Sequence, residues 1–177
     1  MLLFNAEGRT DFSVVAKKAV SIEAATAEQD FVYVTGNLVT EGQIGDDTYL
    51  VNGDYAAVDR KVEVYSWVEK VKSDENDVKY YEYDTEWVDT PAVSDTFHER
   101  RGHDNYEKEV QDLRKLAPKG FVGNYEIGMD KVKLPSFKEL TLNDENVYTD
   151  YYSEVVDNHV FVGYGTYTDP DIGDMRI

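Results

Sequence analysis

The sequence contains no cysteine. Disulfides, cysteine-ligated zinc and a thiol nucleophile are therefore excluded. The same absence suits a prokaryotic source better than a secreted animal one. Long apolar runs are missing too. No stretch approaches the ~18 apolar residues that cross a bilayer, and Met1-Leu2-Leu3-Phe4 is too short for a secretory leader. Taken alone, the chain is expected to be soluble. Basic residues are scarce: 18 against 36 acidic ones, a net charge of −18. A surface of that sign repels phosphate, which argues against nucleic acid and against docking on anionic lipid. It favours solubility and leaves room for a basic protein partner. Also lacking are a glycine-rich phosphate loop, a Gly-x-Ser-x-Gly elbow and a basic cluster interleaved with aromatics.

What the chain does have is aromatic residues: 13% of the total, 14 of them Tyr. Tyr favours strands, and 177 residues suffice to bury a core without staples. Residues 57–71 and 78–88 alternate strictly. Val62, Val64, Ser66 and Val68 share one face of the first run, opposite Glu63, Tyr65, Trp67 and Glu69. Tyr81, Tyr83, Thr85 and Trp87 share one face of the second, opposite Glu82, Asp84 and Glu86. Lys72–Asp77 joins the two as the tip of an antiparallel hairpin. Further strands are expected over Phe31–Val39, Phe121–Ile127, Asn146–Val156 and His159–Tyr167, the last two turning at Asp157-Asn158. Helical spacing appears at Asp11–Glu23 and at Tyr106–Leu116, the latter with Asn105 as N-cap. A helical turn is expected at 135–140. The fold class expected is α+β, a mostly antiparallel sheet with two or more short covering helices.

Several segments in order carry a family resemblance. They are Glu7-Gly8-Arg9, then Arg60, Val62, Glu63, Tyr65 and Trp67, then Tyr81, Tyr83, Glu86 and Trp87. Phe97 and Gly102-His103-Asp104-Asn105 follow, and Gly173-Asp174-Met175-Arg176-Ile177 closes the chain. Tyr106 stands where that family often has Pro. The set resembles the transmembrane protein 43 (LUMA) family, and the resemblance covers most of the chain. It implies a multi-pass membrane protein in which residues 1–177 form a single soluble extramembrane domain. Membrane segments would then lie before Met1 and after Ile177, with both ends on one side of the domain. In a prokaryotic member the domain would be extracytoplasmic. It would act in protein interaction or membrane organisation, as a scaffold with an unknown protein partner or by self-association. The resemblance supplies no catalytic residue and no cofactor. Its candidate structural or interaction cluster is Arg60, Glu63, Trp67, Glu86, Trp87, His103, Asn105, Asp174 and Arg176.

Three stretches invite a chemical reading. His98-Glu99-Arg100-Arg101-Gly102-His103 offers two imidazoles and a carboxylate. Its spacing matches no zinc motif and its two Arg repel a cation, so an ordered loop is the plainer reading. Asp169–Asp174 resembles a cation loop but lacks the alternating ligands and closing Glu of an EF-hand, and reads as a turn. Glu82, Asp84 and Glu86 recur ~6–7 Å apart along a strand, near the separation of a glycosidase pair; a solvated strand face is the plainer reading. Three functions follow: an interaction domain, a hydrolytic or carbohydrate-active enzyme using those carboxylates, and a metal or ligand sensor at His98 and His103. The first fits the aromatic character best, and neither a metal nor a cofactor is expected. Trp87 is expected to support the fold, with Arg60 and Glu86 as its polar surroundings.

Overall fold

In this computed structural model the described residues are 36–177, together with the backbone of Lys17–Lys18 and Val32–Tyr33. Twelve strands succeed one another among them. They are β1 (Lys17–Lys18), β2 (Val32–Tyr33), β3 (Leu38–Glu41), β4 (Ala57–Arg60), β5 (Glu63–Ser73), β6 (Lys79–Val88), β7 (Leu113–Leu116), β8 (Lys119–Val122), β9 (Tyr125–Ile127), β10 (Ser153–Val156), β11 (His159–Val162) and β12 (Met175–Arg176). Two 3-10 turns, Ser94–Thr96 and Met129–Lys131, are the sole helical features described. The chain divides into two compact units.

The first unit comprises Met1–Gly45, Asn52–Val58 and Lys115–Phe137. Its described part holds the parallel pair β1–β2 and an antiparallel sheet in the order β3-β8-β9. Gly123 takes φ +59 at the turn between β8 and β9, so Val122 faces Tyr125 across a two-residue loop. Ile44, Ala117 and Met129 are its buried apolar residues outside the strands.

The second unit comprises Asp46–Val51, Asp59–Arg114 and Lys138–Ile177. It is built on a sheet in the order β10-β11-β12-β5-β6, antiparallel throughout. β5 and β6 pair without interruption from Val64↔Val88 to Ser73↔Lys79. At their tip, Asp74 Oδ1 accepts the amides of Asn76 and Val78 at 2.8 and 2.9 Å, and Asp77 takes the left-handed conformation. Between β10 and β11, Asp157 and Asn158 both have positive φ. That is the conformation a two-residue turn needs to match the strand twist. Val62, Val64 and Met175 form the buried cluster of this unit, with Val110, Val162 and Ile177 packed against it.

The hairpin is found where the alternation puts it. The covering helices are not. Among the described residues there is no α-helix, so the α+β class gives way to a mostly antiparallel sheet architecture without covering helices. Residues 106–112 are irregular and 113–116 form β7. Val110 joins the core cluster, so the apolar spacing serves separate contacts and not one helix face. Residues 135–140 are irregular as well. Of the helix expected over Asp11–Glu23, only Lys17–Lys18 is described, as β1; the remainder lies outside the described residues, as does the position of Met1. The expected strand 57–71 breaks at Lys61-Val62, where the Val62 amide turns to Asp112 Oδ1 at 3.0 Å.

Candidate functional site

The distinctive residues gather along β5 and the segments that close its inner edge. β12 covers only Glu63 and Val64. Beyond it, the Tyr65 N–H donates to Asp174 O at 2.8 Å, and the Gly173 N–H donates to Tyr65 O at 2.9 Å. Two positions further from the β12 end, at Trp67, the Asn105 side chain takes over. Its Oδ1 accepts the Trp67 N–H at 2.7 Å and its Nδ2 donates to Trp67 O at 3.0 Å. A primary amide carries one acceptor and two donors, so Asn105 substitutes for a peptide group of a missing neighbour strand. Its second Nδ2 proton goes to Ala92 O at 3.0 Å.

Asp174 is buried, and its carboxylate is used up in the same way. It accepts the amides of Tyr164, Gly165 and Asp171 at 3.0, 3.0 and 2.8 Å. A side chain at Gly163 would place its Cβ 2.0 Å from Asp174 Oδ1, so glycine is required there. Arg176 pairs with Glu63 at 2.5 Å and lies over the Trp87 ring, 5.0 Å from its centroid. Trp87 also touches Tyr65 and Phe161 at centroid distances of 5.3 and 6.5 Å. Glu63 and Arg176 are thus the polar surroundings of Trp87. Arg60 and Glu86, expected in that place, lie elsewhere.

The loop 91–105 supplies an aromatic cover for the Tyr face of the hairpin. His103 stacks on Tyr83 at 3.9 Å and meets Trp67 edge-on at 4.8 Å, while His98 stacks on Tyr81 at 4.0 Å. Glu69 fastens the loop by accepting the Tyr83 hydroxyl at 2.6 Å and the His98 amide at 2.5 Å. Those donors hold its carboxyl below the usual range. Partial burial and the Glu69 anion push the Tyr83 hydroxyl up.

On the opposite face Glu86 binds Lys70 and Glu82 binds Lys72. Asp84 is held below its ordinary value by the Thr85 amide and by Lys70. A glycosidase acid needs the reverse shift. Arg60 forms a separate buried pair with Asp46, 2.8 Å long, their side chains 10% and 3% exposed. Burial would raise the Asp46 carboxyl. Arg60 and the amides of Thr48, Leu50 and Tyr49 outweigh that and hold it low. Arg60 spends its remaining donors on Gln111 O at 3.1 and 2.8 Å and on Thr48 Oγ1 at 3.1 Å.

A cleft of about 700 Å³ opens beside Asn105, between Asp89–Asp95 and Tyr106–Asp112. Within it Arg100 pairs with Asp95 and Lys108 with Asp112. The site residues therefore form one path from Arg176 through Trp87 and Tyr65, by way of Thr85, to Trp67, His103 and Asn105. Arg60 and Glu86 stand outside it.

A family model described as Transmembrane protein 43 matches residues 64–177. The chain belongs to the transmembrane protein 43 family. The match takes in Trp67, Trp87, His103, Asn105, Asp174 and Arg176, and begins just after Arg60 and Glu63. Transmembrane protein 43 of Rattus norvegicus is 28% identical over 190 residues, covering 93% of this chain and 48% of that protein. The Homo sapiens protein is 27% identical over the same extent. The chain thus spans about half the length of these relatives. No solved structure matches it. The family is membrane-associated. Among the described residues no helix is long and apolar enough to cross a membrane.

Sequence reasoning missed Asp46, Glu69 and Asp112. Asp46 sits in Gly45-Asp46-Asp47-Thr48, a turn composition that signals side-chain capping of nearby amides. Asp112 has one local partner, Lys108 four residues earlier, but its bonds to Lys61 and the Val62 amide link positions far apart in sequence and carry no local signal. Also missed was an exposed trio, Tyr151, Tyr152 and Tyr164, with ring centroids 5.1 and 5.2 Å apart in sequence order.

Proposed function

We propose that this chain is the extracytoplasmic domain of a multi-pass membrane protein and acts by binding protein. The observation that carries the reading is the tyrosine trio. Tyr151 is 92% exposed and Tyr164 83%, while Trp67, Tyr81 and Tyr83 of the hairpin pack against the loop 91–105. Clustered Tyr is enriched at protein interfaces, where a rigid amphipathic ring contributes area at low entropic cost. The backbone beneath is fixed: Asp150 Oδ1 accepts the Tyr152 amide and the Ser153 hydroxyl at 2.9 and 2.8 Å, and the Gly163 N–H donates to Tyr152 O at 2.9 Å. The rings are thus presented in a preset geometry, which lowers the ordering cost of binding.

The full-length membrane protein provides the test. A photo-crosslinking amino acid at position 151 should give a discrete cross-linked product in intact membranes. The same group at Asn76, on the hairpin tip, should not. Tyr164→Ser should reduce the product while leaving the melting temperature unchanged. Equal labelling from both positions would remove the basis for this reading. Sidedness is read separately with Tyr151→Cys. These 177 residues contain no cysteine, so an impermeant maleimide added to intact cells should label the variant above the level of the unsubstituted protein.

A further inference from the structure

We infer that the outer edge of β6 is a docking strand for an extended basic peptide, a site distinct from the tyrosine trio. Among the described residues no strand pairs with that edge, and β6 is the last strand of its sheet. The register fixes which backbone groups face outward. Tyr65 and Trp67 turn their amides and carbonyls toward Gly173, Asp174 and Asn105. Ser66, Val68 and Lys70 must then face Glu86, Asp84 and Glu82 across the hairpin. The outward row on β6 is therefore Tyr81, Tyr83, Thr85 and Trp87. Edge strands are commonly protected by brevity, Pro or a bulge. β6 runs ten residues, pairs without a break and contains no Pro. Among the described residues its one backbone cap is Asp84 Oδ1, 2.9 Å from the Thr85 amide.

The side chains select the occupant. Glu82, Asp84 and Glu86 form an exposed acidic row on one face, each about half exposed. A second copy pairing antiparallel at this edge would set carboxylates against carboxylates, which is destabilising. Two lysines on β5 meet three carboxylates, and exposed pairs of this kind are weak. A strand with Lys or Arg at alternate positions would bring opposite charges beside the acidic row. Its intervening residues would lie beside Tyr81, Tyr83 and Thr85, where β-branched side chains pair well. This is strand addition, with main-chain bonds giving affinity and alternate side chains giving selectivity. A net charge of −18 steers such a peptide toward the chain.

The probe is a synthetic heptapeptide, Lys-Val-Lys-Val-Lys-Val-Lys, blocked at both ends and titrated into the isotope-labelled 177-residue chain. Amide resonances of Tyr81, Tyr83 and Thr85 should shift in a saturable manner. Two controls separate strand addition from general attraction. N-methylation of the three valines keeps every charge and removes the main-chain donors that meet β6; it should weaken binding by at least about tenfold. The variant Glu82→Gln/Asp84→Asn/Glu86→Gln keeps shape and should likewise weaken binding and flatten its salt dependence. Equal binding of the N-methylated peptide would overturn the proposal. So would shifts confined to Tyr151, Tyr152 and Tyr164, or no saturation at millimolar peptide.

Discussion

Charged residues in this chain serve structure when they are buried and solubility when they are not. Arg60 and Asp46 show the first case. Their burial leaves either partner uncompensated if the other is removed, so Arg60→Ala should cost about 3–5 kcal/mol. The double variant Asp46→Ala/Arg60→Ala should cost clearly less than the sum of the two singles in urea unfolding. Asp112 shows how a carboxylate sets acid stability. Lys108, Lys61 and the Val62 amide bring its pKa down from 3.8 to about 2. A depressed folded-state value stabilises the fold above the unfolded pKa, and that contribution disappears as pH falls through the folded one. Its loss should therefore lie between about pH 4 and 2. Asp112→Asn should lower the melting temperature at pH 7 and reduce its decline across that acid window.

At the scale of elements, side chains finish what the strands leave open. β5 outruns β12, and Asn105 serves the uncovered backbone of Trp67. Asn105→Ala would strip a partly buried N–H and C=O of their partners, at about 1–3 kcal/mol each. Asn105→Asp would set a carboxylate oxygen against Trp67 O and Ala92 O, and should be no milder at neutral pH. Urea unfolding measures both losses. A red shift of Trp67 emission, read in a Trp87→Phe background, should accompany them as the loop 91–105 lifts. The hairpin was legible because Val64–Val88 and its successors alternate with period two, a pattern only a strand satisfies over ten residues. Tyr106–Leu116 misled for a definite reason. Tyr106, Val110 and Leu113 have helical spacing, but Asn105 is occupied with Trp67 and cannot cap a helix. Gly123-Asn124, a two-residue hairpin signal inside the run read as one strand, was legible and was passed over.

Across the whole chain, acidic residues outnumber basic ones two to one. Self-repulsion should dominate over the weak surface pairs. Raising salt from about 10 to 150 mM shortens the Debye length from about 30 to 8 Å, and the melting temperature should rise by a few degrees, as scanning calorimetry can show. The membership of the chain in its family was legible in the order of short segments. The contact path was not, since Arg176 and Glu63 meet across 113 positions and no local pattern foretells a pair so distant.

β12 has a mechanical consequence. Among the described residues it is the only strand pairing the β10–β11 hairpin with the β5–β6 hairpin, with two rungs on each side. Tension applied at Ile177 would load those few rungs before any of the ten in the long hairpin. Drawing β12 out would part the sheet along its middle, expose Val64 and Met175 and release Trp87 from Arg176. Under pulling in an optical trap, such a chain should yield first at its carboxyl end, in a small early extension, with the long hairpin opening later at higher force.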